Sequence, residues 1–309
     1  MINIEKLKQN KTTEELLEFG IININKPSGP TSFDISDFVR KKLGIRKTSH
    51  FGTLDPKVTG VLPIALNRAC KLTGFFLGED KEYIGIMRVH EDVDLDEIRK
   101  AIEEKFTGKI LQTPPKRSRV KRQERERDVK KFELLERNER EILFRAEVQG
   151  GTYIRKLISD LGDYMKIGAH MLELRRIRAG IFTEDDKTYP AINLYDFEKA
   201  VDEYKTGNEE ELRKIIIPAE IVMKVYPCVE IKKDNLKKIF TGKPILIDDL
   251  KKRPPQVQSI SSKNSQNNEK FEKDEIICIF NGDEFIGMYK VINEGEIFAK
   301  ADFVLQPIK

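Results

Sequence analysis

One carboxylate, Asp55, stands among two glycines and two prolines in the segment His50-Phe-Gly-Thr-Leu-Asp-Pro-Lys-Val-Thr-Gly-Val-Leu-Pro63. The proline at 56 disfavours helical dihedrals at Asp55, while Gly52 and Gly60 permit tight backbone paths and close approach to a ligand. The sequence therefore presents the carboxylate on a loop. A carboxylate is ionised at neutral pH and can form and break an ester-like bond, so nucleophilic chemistry is open to it. Taken alone, an Asp-Pro pair between glycines describes an ordinary turn. Four further segments give the loop its meaning: Asn25-Lys-Pro-Ser-Gly-Pro-Thr-Ser32, Lys81-Glu-Tyr83, Gly150-Gly-Thr-Tyr-Ile-Arg155 and Leu174-Arg-Arg-Ile-Arg-Ala-Gly180.

In this order the five motifs resemble the TruB/dyskerin family of pseudouridine synthases over about residues 20–200, with archaeal members nearest. The resemblance implies that Asp55 is the nucleophile, attacking either uracil or the ribose anomeric carbon so that the base detaches, rotates and rejoins through carbon. An isomerisation of this kind needs no cofactor. Tyr83 then corresponds to the tyrosine that stacks on the base and handles the proton lost from carbon five. Arg155 corresponds to the arginine whose charged fork holds the Asp55 carboxylate. The same mapping puts Lys26 and Pro27 in the floor of the site, Leu174 against the target base, and His50 and Tyr153 among the RNA contacts. Two departures stand out: Phe51, where relatives usually carry a small residue, and Arg119, commonly alanine.

A basic cluster runs from Lys116 through Arg117, Arg119, Lys121 and Arg122 to Arg125, Arg127, Lys130 and Lys131, nine cations against Glu124, Glu126 and Asp128. Most charge runs are solvated faces. This one follows Pro114-Pro115 and occupies the place of the family's RNA-clamping thumb loop, about residues 112–131. Arg175, Arg176 and Arg178 read as a second basic stripe.

These residues need a scaffold. Alternating residues over 20–25 predict a strand ending in a Lys-Pro-Ser-Gly-Pro turn, and the helical spacing from Phe33 to Leu43 predicts a helix capped by Thr31 or Ser32. Strands are expected at 61–66, 83–89, 132–135, 142–148 and 171–178, with helices at 94–107 and 153–165. That irregular order fits an α+β fold better than a regular βαβ repeat, and the family resemblance implies a mixed, largely antiparallel pseudouridine-synthase sheet flanked by helices over a catalytic domain of 20–218. Residues 1–19 read as an N-terminal extension whose helix near 14–19 stops at Gly20. Short strands at 225–231, 244–248, 275–280, 285–291 and 297–304, with a helix at 233–240, predict a second, β-rich domain over 225–309. It resembles the small RNA-binding PUA β-barrel of archaeal and eukaryotic members. Its polar insertion at 251–274 reads as a mobile loop.

Composition narrows the setting. Lys and Arg number 56 against 52 Asp and Glu, a net charge of +4, so attraction to a polyanion must come from clusters. Cys70, Cys228 and Cys278 lack a CxxC pairing, and His90 and His170 lack partners at ligand spacing, so neither a disulfide framework nor a metal site is expected. No apolar stretch of about 18 residues and no signal-peptide core are present, which predicts a cytoplasmic protein without membrane attachment. Two function classes remain in view: a catalytic synthase and a non-catalytic RNA-binding or assembly scaffold. The joint presence of Asp55, Tyr83 and Arg155 favours the enzyme. The expected partners are tRNA through its T-loop uridine, and rRNA within H/ACA guide-RNA particles alongside three small accessory proteins.

Overall fold

The computed structural model describes residues 3–115, 120–251 and 271–307. Two compact units divide the chain, one of Phe19–Ile217 and one of Met1–Glu18 with Pro218–Lys309. Among the described residues, no helix is long and apolar enough to cross a membrane.

The larger unit is built on strands β1 (Gly20–Lys26), β2 (Thr48–His50), β3 (Thr59–Leu66), β4 (Lys81–Val89), β5 (Gly108–Gln112), β6 (Arg125–Asn138), β7 (Glu141–Val148), β8 (Ala169–Ala179), β9 (Phe182–Thr183) and β10 (Ile216–Pro218). Its sheet runs β10-β1-β3-β8-β4-β7-β6-β5, with β2 also on β3 and β9 on β8. The pairs β1–β3, β2–β3, β4–β7, β4–β8, β5–β6, β6–β7 and β8–β9 are antiparallel. The β3–β8 pair is parallel and joins only Thr59 to Arg175 and Gly60 to Arg176.

That short junction makes the site. One edge of β3 is taken by β8 at Thr59 and Gly60 and by β2 from Ile64 to Leu66, leaving the stretch between for other partners. There Pro63 O accepts from Phe51 N at 2.9 Å and Val61 O accepts from the Arg176 side chain at 2.8 Å. The loop that carries Asp55 leaves β2 along this gap. Gly60 has φ +100°, and a Cβ there would stand 2.2 Å from Arg176 O, so only glycine allows the junction.

The flanking helices follow their sequence patterns. Thr31 caps Ser32–Leu43 in a reciprocal capping box with Asp34, and Gly44 closes it at φ 68°. Helices Leu95–Lys105 and Ile154–Met165 bury Ile98, Ala101 and Ile102, and Leu157, Ile158 and Leu161. A further helix, Leu194–Lys205, which the sequence reading did not include, buries Phe197, Ala200 and Val201. The strand expected at 132–135 spans Arg125–Asn138, so Arg125, Arg127, Lys130 and Lys131 of the expected basic loop lie in β6 instead. Charges on a strand near the sheet edge mask its alternation while guarding that edge.

The smaller unit holds β11 (Cys228–Glu230), β12 (Ile245–Leu246), β13 (Ile276–Asn281), β14 (Glu284–Glu294) and β15 (Ile297–Val304) in the order β11-β13-β14-β15-β12. Its core gathers Ile231, Ile239, Ile277, Ile279, Tyr289 and Phe298. Of the insertion expected at 251–274, residues 252–270 lie outside the described residues. The N-terminal segment groups with this unit instead of standing as an extension: helices Ile4–Asn10 and Thr13–Glu18 bury Ile4, Leu7, Leu16 and Leu17, and Lys11 pairs with the buried Glu220. Gly20, expected to stop the second of these helices, instead opens β1 and is buried.

Candidate active site

The Asp55 loop is pinned on both flanks. The Ser32 hydroxyl accepts from Leu54 N at 2.7 Å and donates to Leu54 O at 3.0 Å. The Lys26 ammonium, fully buried, donates to Pro27 O, Pro56 O and Val58 O at 2.9, 2.9 and 2.8 Å. Burial lowers its pKa, and the Asp55 charge opposes that shift. Lys26 is therefore a clamp on the loop as well as a cation near the carboxylate. Phe51, the departure noted in the sequence, faces inward: it is buried, stacks on Phe76 at 4.6 Å between ring centroids and packs against Phe182.

With its backbone held, Asp55 keeps its side chain 47% exposed, and Arg155 Nη2 lies 2.5 Å from Asp55 Oδ2. The Arg155 side chain is itself 61% exposed. An ion pair this open adds at most about 1 kcal/mol to stability, so its effect is orientation of the carboxylate. Arg155 reaches Asp55 from the first turn of helix Ile154–Met165.

Tyr83 lies on β4 opposite Arg176 of β8. Burial lowers the Arg176 pKa, and the neighbouring Tyr83 opposes that shift. Arg176 is 1% exposed, donates through Nε to Val61 O at 2.8 Å and through Nη2 to Gly52 O at 3.1 Å, and thus ties β8, β3 and the Asp55 loop together. Lys81, nearly as buried, gives its ammonium protons to Phe76 O, Leu77 O and Glu79 O, and burial, with Arg176 nearby, pushes its pKa down to about 8. The second basic stripe expected from the sequence does not form. Arg176 points inward, Arg175 pairs with Glu184, and Arg178 pairs with Glu82 and Glu147.

The remaining expected residues take varied places. Leu174, 7% exposed, is paired with Gly85, where a Cβ would come within 2.9 Å of Leu174 Cδ1. His50 sits on β2 with a buried Nδ1 that has no hydrogen-bond partner; burial first and Arg176 second lower its pKa, which keeps it neutral near pH 7. Pro27 is exposed, and Tyr153 is bonded through its backbone to Gln112. Lys121 and Arg122 are exposed, whereas Arg117 and Arg119 lie outside the described residues. Sequence reasoning passed over Arg176, Ser32 and Gln112 as site residues. A signal for Arg176 existed: strand residues two apart share a face, so an inward Leu174 implies an inward Arg176. His90 and His170 bond each other, Nε2 to Nδ1 at 2.8 Å. Among the described residues no group of three or more His, Cys, Asp or Glu side chains is placed to hold a metal.

Comparison with known proteins bears on this geometry. The TruB family pseudouridylate synthase N-terminal domain matches residues 40–154, and the tRNA pseudouridylate synthase B C-terminal domain matches residues 155–224. A probable tRNA pseudouridine synthase B from Methanopyrus kandleri is 43% identical over 235 residues, covering 76% of this chain and 68% of that one. The chain belongs to the TruB family of pseudouridine synthases. A second relative of this synthase, the probable tRNA pseudouridine synthase B from Methanocaldococcus jannaschii, is 40% identical over 241 residues, 77% of this chain and 70% of its own. Among solved structures, one from a Cbf5-Nop10-Gar1 complex matches with TM-score 0.85 and 35% identity over 97% of this chain and 89% of that chain. Another, from an H/ACA RNP bound to a substrate RNA containing 2'-deoxyuridine, matches with TM-score 0.82 and 32% identity over the same shares, 97% and 89%. The α+β fold and the synthase activity are those of the family.

Proposed function

We propose that the synthase acts through Asp55 as nucleophile, with Arg155 orienting the carboxylate and Tyr83 against the target base, on the T-loop uridine of tRNA and on rRNA uridines selected by a guide RNA. The observation that carries this reading is the 2.5 Å pairing of Arg155 with a carboxylate held on a clamped, solvent-open loop. A duplex or folded RNA must release its uridine from the stack before that carboxylate can reach it. Lys121 and Arg122, in the basic loop, supply phosphate contacts, and the unit containing residues 225–309, PUA-like in this reading, grips RNA away from the flipped base. Lys26, Pro27, His50, Tyr153 and Leu174 line the nucleotide's path.

The names of the relatives favour tRNA, whereas the matches along 97% of the chain to a Cbf5-Nop10-Gar1 complex and to an H/ACA RNP bound to a substrate RNA favour assembly with accessory proteins. Both routes use one carboxylate, and the setting is the cytoplasm. The test is tritium release from uridine labelled at carbon five, in a tRNA transcript and in a guide-paired rRNA fragment, with and without accessory proteins. Release from tRNA by the chain alone, and from rRNA only in the assembled particle, is the expected pattern. Failure on both RNAs under both conditions would remove the proposal.

A further inference from the structure

The side chain of Gln112 is 3% exposed and closes a two-way bond with one backbone unit. Its Oε1 accepts from Tyr153 N at 3.0 Å and its Nε2 donates to Tyr153 O at 3.2 Å. Tyr153 is the N-cap of helix Ile154–Met165 and makes no side-chain capping bond of its own, so an external carboxamide does the work of holding the helix start. Arg155 follows two residues later. Because Arg155 is largely exposed, its reach to Asp55 depends on where its backbone is held rather than on packing around its guanidinium.

Gln112 is also the last residue of β5, where the basic loop begins. The other end of that loop is fastened to the same segment: Arg127 Nε donates to Gly151 O at 3.2 Å, and Gln149 N donates to Asp128 O at 2.8 Å. The turn that leads into Arg155 is thus gripped from both strands that flank the loop.

We infer that Gln112 is a positioning residue for Arg155, fixing the helix start from which Arg155 orients the Asp55 carboxylate. The inference rests on the reading of Asp55 and Arg155 as the reacting pair. Gln112→Met keeps the length of the side chain and removes both bonds. Gln112→Glu keeps the acceptor for Tyr153 N and loses the donor to Tyr153 O.

The experiment compares full-length wild type, Q112M, Q112E, R155A and the double variant Q112M/R155A. It reads the single-turnover rate of tritium release at saturating tRNA transcript, RNA affinity, and the melting temperature. Displacement of a reacting group by about 1 Å lowers a rate roughly a hundredfold, so Q112M should lose between about tenfold and a hundredfold in rate. Its RNA affinity should stay within about twofold of wild type, and Q112E should fall between Q112M and wild type. A purely structural glutamine would slow R155A further. A positioning one should leave the double variant no slower than R155A alone. Wild-type rates in Q112M and Q112E, or losses that multiply with R155A, would overturn the inference. Full turnover by D55N would instead bring down the reading of the reacting pair, and the inference with it.

Discussion

The Arg176 guanidinium, buried on β8 opposite Tyr83 of β4, donates to Val61 O at 2.8 Å and to Gly52 O at 3.1 Å. One buried cation therefore ties β3 to the loop that carries Asp55, next to Tyr83 on the neighbouring strand. Replacing it with methionine leaves the buried Val61 O and the half-buried Gly52 O without this donor, and a buried carbonyl left unsatisfied costs about 1–3 kcal/mol. R176M should lose on the order of 3 kcal/mol in urea unfolding and most of its activity. R176K keeps the charge but not the planar fork, and should recover only part of each.

Asp55→Asn preserves size and turn geometry and removes the charge that the proposed nucleophilic role requires. Turnover should vanish while RNA affinity, read by filter binding, stays within about twofold. R155A should retain folding and affinity and lose rate, because the pair it breaks is too exposed to support the fold. A substantial drop in its melting temperature would contradict that account.

Lys121 and Arg122 are exposed on the basic loop. If each meets a phosphate, K121A/R122A should weaken binding and shallow the logarithmic salt slope by roughly 0.7–0.9 per lost contact. Titrations at several salt concentrations give the slope directly, and a slope equal to that of wild type would return both residues to a solvated surface.

Lys81 gives a pH signature. Its folded pKa, about 8, lies below the ordinary 10.5, so the folded state binds fewer protons between those values. The stability this contributes is complete above 10.5, and it is lost as pH falls through about 8. Wild type should gain about 2 kcal/mol relative to K81M between pH 7.5 and 9.5 in denaturant unfolding. Parallel pH profiles for the two proteins would show that the ammonium is better solvated than its burial indicates.

Grouping of the N-terminal helices with the C-terminal sheet alters how the chain should be cut. Residues 19–217 should fold alone and bind RNA more weakly than the full chain, by loss of one of two linked contacts. Residues 1–224 keep Leu7, Leu16 and Leu17 without the sheet of their unit, and should bind a hydrophobic dye more strongly than residues 19–217. Equal dye binding would argue against that grouping.

Much of the site could be read in the sequence where chemistry and backbone demand coincide. Asp55 is framed by glycines and prolines whose dihedrals announce a loop, and Thr31 with Asp34 announces a helix start. Residues that act by being buried were harder to see. Arg176 sits in a run of three arginines within four residues, which composition reads as a charged face, and only its partners in β3 and β4 show otherwise. Gln112 and Ser32 act on backbone atoms 41 and 22 residues away, a separation at which no local pattern speaks. The length of β6 was hidden for a related reason, since charges occupy most of its outward positions.

The order of synthesis has a consequence for this molecule. Helices Ile4–Asn10 and Thr13–Glu18 leave the ribosome well before the rest of their unit, which begins at Pro218. At roughly 5–20 residues per second, the roughly two hundred residues between take about 10–40 s to appear, long enough for the catalytic sheet to form meanwhile. During that interval Ile4, Leu7, Leu16 and Leu17 have no core of their own, and the nascent chain carries an apolar segment that a chaperone can hold.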